Sequence, residues 1–107
     1  MNDALVARLR AQIGGPRDGA LLRFSLGNAL LGDGIYAEAA QCFRDALGFD
    51  ADYSAAWKLL GKSLVAVDDE AGAAAAWTSG IEAATRRGDM QAAKEMTVFL
   101  NRLSRPR

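Results

Sequence analysis

The sequence predicts an all-α protein of about six helices, arranged as repeated antiparallel helix-turn-helix units, and three observations lead there. Apolar residues recur at three- and four-residue spacing between short glycine and aspartate breaks, and no segment alternates with the period of two that a strand requires. Residues 24–31, FSLGNALL, and 58–65, KLLGKSLV, place a leucine-glycine pair among good helix formers 34 residues apart. A glycine inside a helix costs about 1 kcal/mol relative to alanine, so a repeated one implies that a neighbouring element comes close to the backbone. Finally, laying 20–53 over 54–87 without gaps matches Leu26 with Leu60, Gly27 with Gly61, Leu30 with Leu64, Ala39 with Ala73, Phe43 with Trp77, Ala46 with Gly80 and Leu47 with Ile81. The matches fall on the apolar and small positions, which set the core.

The first helix is expected over 3–13, with Asp3 as its cap and Leu5, Leu9 and Ile13 on one face; Gly14, Gly15 and Pro16 stop it. The second begins near Asp18 and runs to Leu31, and Gly34 suits the left-handed conformation that follows a helix end. The third covers 36–47, ended by Gly48. Asp52 or Ser54 can cap the fourth, which reaches Val67. Asp69 is a good cap for the fifth and Glu70 suits its first turn; Arg86 and Arg87 complement the dipole at its other end. Gly88 and Asp89 separate it from the sixth, over 89–103, which carries Met96, Phe99, Leu100 and Leu103 at helical spacing, and 104–107 form a tail.

At the matched residues the chain resembles the tetratricopeptide repeat, a unit of 34 residues with a tryptophan, leucine-glycine, an aromatic, then alanine, an aromatic and proline. The second unit, 54–87, supplies Trp57, Leu60, Gly61, Ala73 and Trp77; the first, 20–53, supplies Leu26, Gly27, Tyr36, Ala39, Phe43 and Ala46. Arg23 replaces the first tryptophan, Leu30 and Leu64 the aromatic, Ala51 and Thr85 the proline, and Asp68 stands at the usual turn glycine. The resemblance implies a short right-handed solenoid forming one domain over 1–107. Gly27 and Gly61 would then admit the second helix of each unit, Ala39, Ala46, Ala73 and Gly80 would offer it small surfaces, and Phe43 and Trp77 would fill the space beside the crossing. The first helix becomes a partial unit. The sixth becomes a cap, its Met96, Phe99 and Leu103 covering the fifth helix while Lys94, Asn101, Arg102 and Arg105 face water.

Composition narrows the function. Thirteen basic and thirteen acidic residues cancel, which argues against a nucleic-acid or membrane-surface protein. The sign varies along the chain: four basic against two acidic residues over 1–23, three against nine over 33–82, six against two over 86–107. Such ends and middle can pair with a partner or with another copy, or simply form solvated helix faces. Arg86, Arg87, Lys94, Arg102, Arg105 and Arg107 form a local basic cluster without a recognised reading motif. The absence of histidine removes the commonest acid-base group and every Ser-His-Asp or Cys-His arrangement. One cysteine, Cys42, permits no intrachain disulfide and, without histidine, no usual zinc site. Asp68, Asp69 and Glu70 are explained by capping, and no dinucleotide or P-loop motif occurs. No enzyme, cofactor or metal is expected. Without a signal peptide or an apolar run long enough for a membrane span, a soluble cytoplasmic protein of bacterial style is expected.

The resemblance implies an interaction scaffold in which the first helices of successive units line a groove for a peptide or a helix of another protein. Carried over position by position, the groove comprises Leu21, Phe24, Ser25, Asn28 and Leu31, then Ala55, Lys58, Leu59, Lys62 and Val65. Phe24 and Leu59 supply apolar area, and Asn28, Lys58 and Lys62 supply donors, a combination suited to a peptide with an acidic group and an apolar anchor. A subset of the family clamps a C-terminal carboxylate with lysines and asparagines; only Asn28 and Lys58 match it, so chaperone-tail binding is not expected. The alternative is a homo-oligomerising subunit, assembled through opposite charges and uncovered apolar positions or by exchange of a terminal helix.

Overall fold

The repeated leucine-glycine pairs lie at the centres of two helices, each covered by the aromatic ring of the next helix. The structure, a computed structural model, describes residues 2–105 and contains, among them, six helices and no strand: α1 (Asp3–Ala11), α2 (Ala20–Gly32), α3 (Tyr36–Phe49), α4 (Ser54–Ala66), α5 (Glu70–Arg87) and α6 (Met90–Leu103). From α2 onward each helix packs on the next in chain order, and α4 also touches α2 and α6. Hence α2, α4 and α6 form one layer, α3 and α5 the other, and the whole is a slab of 42 × 30 × 18 Å. The first helix packs on α2, and its Arg10 reaches Glu38 of α3.

The core is built between the layers. Phe43, Leu30 and Met96 are fully buried, and Leu26, Leu60, Leu64, Trp77 and the alanines at 39, 46, 56, 73 and 84 surround them. The rings do not stand beside the helix crossings. They lie on the glycines themselves: a Cβ added to Gly27 would come within 2.8 Å of Phe43, and one added to Gly61 would land on the indole Nε1 and Cε2 of Trp77. The gap at Gly61 also opens the backbone of α4, so Trp77 Nε1 donates to the Lys58 carbonyl at 3.1 Å. Gly80 answers from the opposite helix, where a Cβ would meet the Met96 sulfur and Trp57 Cβ.

Three turns close in the same way. Gly34, Asp68 and Gly88 have φ of 75°, 63° and 80°, and the next residue in each case donates back to the helix, Ile35 to Leu30 at 2.9 Å, Asp69 to Leu64 at 2.8 Å and Asp89 to Ala84 at 2.8 Å. This is the six-to-one bond of a Schellman ending. Asp68 therefore does the work of the glycine it replaces, since aspartate tolerates the left-handed region better than most residues.

The helix starts differ from expectation. Asp69 caps α5 through the Gly72 amide, and Asp89 caps α6 through that of Ala92. Neither Asp52 nor Ser54 caps α4, because Asp52 pairs with Arg86 and Ser54 donates to Asp89 at 2.6 Å. Asp3 is the first residue of α1 rather than its cap, and α1 ends at Ala11. Asp18 stays outside α2: it accepts from the Gly14 amide and from Arg23, tying down the connection. Gly48 does not end α3, which continues to Phe49 before Asp50 turns extended. On α1, Val6 and Leu9 pack against the core, whereas Leu5 and Ile13 remain exposed. Of the tail, 106–107 lie outside the described residues.

Candidate partner-binding face

The layer of α2, α4 and α6 carries the residues expected to line a groove. Leu21, Asn28, Lys62 and Val65 are exposed, and Phe24, Ser25, Leu31, Ala55, Lys58 and Leu59 are half-buried. Helical spacing sets this pattern: 21, 24, 25 and 28 fall on one side of α2, opposite the buried Leu22, Leu26 and Leu30.

Two features change the chemistry expected of the face. Phe24 is stacked on Tyr53 at 4.9 Å between ring centroids and leans on Phe43 at 5.7 Å, so part of its apolar area is spent holding α2 to α3 and to the connection before α4. The lysines are engaged by α6: Lys58 Nζ lies 3.4 Å from the Glu95 carboxylate, and Lys62 Nζ sits 4.8 Å from the Phe99 ring centre. Glu95 and Phe99 thus belong to the face. Treating α6 as a cap on α5 alone hides them.

Charges at the ends of the chain fold back onto its middle. Arg10 pairs with Glu38, Arg23 with Asp18 and Asp45, Arg86 with Asp52, and Arg87 with Asp50. The Arg23 guanidinium and the Gly14 amide hold the Asp18 carboxyl down at about 2. Arg86 lowers Asp52, while Ser54, helped by the Ala92 amide, lowers Asp89. The basic cluster is accordingly split: Arg86 and Arg87 are taken up by these aspartates, Lys94, Arg102 and Arg105 are exposed on or after α6, and Arg107 lies outside the described residues. Cys42 is buried, which pushes its thiol up. Among the described residues no three His, Cys, Asp or Glu side chains gather as a metal site, and no helix is long and apolar enough to cross a membrane.

Two layers of antiparallel helices, glycine-seated rings at equivalent places and one continuous inner layer define a helical-repeat protein of the protein-interaction class. The chain belongs to the tetratricopeptide repeat family: it is 50% identical over 90 residues to the TPR repeat-containing protein PA0015 of Pseudomonas aeruginosa, a match spanning 84% of this chain and 86% of that one. Its fold is similar to the solution structure of protein BPP2914 from Bordetella parapertussis, with a TM-score of 0.79 and 46% identity over 92% of this chain and 86% of that one. No protein-family profile matches the chain.

Proposed function

We propose that the chain is a non-catalytic module that binds a peptide or a helix of another protein along the inner layer, with Leu21, Phe24, Asn28, Lys62 and Val65 as its contact residues. The observation that carries this reading is the exposure of Leu21, which at 69% exceeds that of every other large apolar residue left exposed. It stands on the inner layer beside Phe24 and Asn28, so an apolar anchor and an amide donor are offered together.

An acidic group on the partner would have to displace Glu95 from Lys58. Recognition is therefore led by apolar contact, with charge contributing through Lys62, whose ammonium is exposed above Phe99.

Site-directed photocrosslinking in cells tests the proposal. A benzophenone amino acid at position 62 or 65 is expected to capture a protein other than the chain itself, and the same group at the exposed outer-layer positions Gln41 or Thr78 is not. Adducts formed from the outer positions and not from the inner ones would overturn it.

A further inference from the structure

Each end of the chain is half of a helix pair, and the halves are of opposite kinds. In the complete pairs α3 grips α2 and α5 grips α4, with Phe43 on Gly27 and Trp77 on Gly61. The gripping positions of α3 include 39, 43 and 47; one repeat of 34 residues earlier these are Leu5, Leu9 and Ile13. Thus α1 has the place of a second helix, with no first helix packed against it among the described residues. On that side Leu5 of α1 is 38% exposed and Ile13, just past its end, 43% exposed. Between α1 and α2 runs a concavity of about 500 Å³, lined by Leu5, Leu9, Leu21, Phe24, Ser25 and Asn28 among others.

At the other end, α6 packs on α5 and touches α4, as α4 packs on α3 and touches α2. It has the place of a first helix, with no second helix packed against it among the described residues. Aligning the starts of α4 and α6, Ser54 with Met90, places Thr97 where Gly61 stands, Leu100 where Leu64 stands and Val98 where Lys62 stands. Val98 is 46% exposed and Thr97 is exposed as well.

We propose that α6 of one copy seats in the cleft between α1 and α2 of the next, joining copies head to tail into a longer solenoid. Size supports the fit. Where a tryptophan covers a glycine within the chain, the junction sets the smaller Leu9 against the larger Thr97. Polarity supports it too: Lys62 reaches Phe99 on the neighbouring inner helix, and the same relation across the junction brings Val98 to Ala29, at the wall of the apolar cleft. Antiparallel packing also sets Asp3, exposed at the start of α1, beside Arg102, exposed at the end of α6. A terminal repeat needs a polar outer face to stay apart from others of its kind, and the exposed Leu5 interrupts that of α1. The junction goes beyond the partner-binding reading: it covers Leu21, Phe24 and Asn28 of one copy and leaves Lys62 and Val65 open, so the two are tested at different positions.

A head-to-tail contact is heterologous and does not close on itself as a two-fold dimer does. Sedimentation equilibrium from micromolar to millimolar concentration is therefore expected to show the wild-type mass rising from 11.4 kDa through and beyond twice that value. Leu5→Glu and Val98→Glu, both at exposed positions, are each expected to stay monomeric with unchanged helical content. Mixed together they are expected to give a one-to-one complex and nothing larger, because the first retains an intact α6 and the second an intact cleft. Leu5→Gln and Val98→Gln serve the same test if a glutamate lowers the helical content. A monomeric wild type at every concentration, variants that associate as the wild type does, or a mixture that stays monomeric would each overturn the junction.

Discussion

Replacing Gly61 by alanine tests how the layers are held together, because helix propensity and packing predict opposite signs. Propensity alone stabilises the change by about 1 kcal/mol. The new Cβ, however, would occupy the place of the Trp77 indole, whose Nε1 is bonded to the Lys58 carbonyl at 3.1 Å. Forcing the ring aside costs about 1–3 kcal/mol as overpacking, and leaving a buried N–H without its acceptor costs about 1–3 kcal/mol more. The net loss is about 3 kcal/mol, a large share of the roughly 5–15 kcal/mol expected for a domain of this size. At Gly27 the nearest ring atoms of Phe43 lie 2.8–3.0 Å from the added Cβ and no hydrogen bond is at risk, so the loss falls to about 1 kcal/mol. Nothing lies within 4 Å of a Cβ at Gly48 in α3, so Gly48→Ala gains up to about 1 kcal/mol. Urea denaturation of the three variants, with Gly61→Ala/Trp77→Leu to close the cycle, measures these values. A Gly61→Ala protein as stable as Gly48→Ala would refute the ring-on-glycine account.

Other perturbations have expected outcomes of their own. Phe43→Ala, which empties a fully buried position, should cost about 3–5 kcal/mol in the same denaturation assay, more than any inner-face truncation such as Leu21→Ala. The Asp18 carboxyl is held at about 2, below its unfolded value near 3.9, so its contribution is complete above about pH 5 and is lost as pH falls through 2. Thermal melts of Asp18→Asn should therefore fall less than wild-type melts between pH 5 and pH 2, and parallel curves would remove Asp18 from the acid response. Cys42, buried and with its thiol pushed up, should react with a thiol reagent at the rate of global unfolding, and fast modification under native conditions would contradict its placement.

Most of the fold was legible because its signals are local or repeat at a fixed interval. The glycines, the two rings and the alanines recur at one spacing, and α6 was bounded correctly by Asp89 and Leu103. The helix starts were harder to read because an acidic or hydroxyl residue before a helix has more than one use. Asp52 and Ser54 look alike as caps until the chain folds; then Arg86 takes the first from 34 residues away, and Asp89 takes the second from 35. Gly48 shows a similar limit, since its φ is not positive and the helix runs through it to Phe49. Glu95 goes unnoticed in the sequence, and Phe99, which does pack on Trp77 of α5, reads there only as cover for that helix, for a topological reason: whether α6 meets one helix or two is decided by the solenoid, not by its own sequence.

An apolar pattern at the start of the chain is informative about how it works. Leu5, Leu9 and Ile13 have the spacing of a helix face that meets a neighbour, yet Val6 and Leu9 turn to the body while Leu5 on α1 and Ile13 just past its end stay outside. A stray apolar residue on a surface needs no explanation, but two at the gripping positions of a repeat do. The same repeat places an unpaired first helix at the opposite end, with Val98 and Thr97 exposed. Part of the charge contrast along the sequence is already used within the chain, where Arg10, Arg23, Arg86 and Arg87 are paired. Leu5, Ile13 and Val98 remain exposed at the two places where a solenoid would continue. If copies do join there, the inner faces of α2, α4 and α6 run on from one copy to the next. The groove then lengthens with concentration, and a partner carrying several docking segments would be held more tightly by the assembly than by one copy, through effective concentration rather than through any new contact.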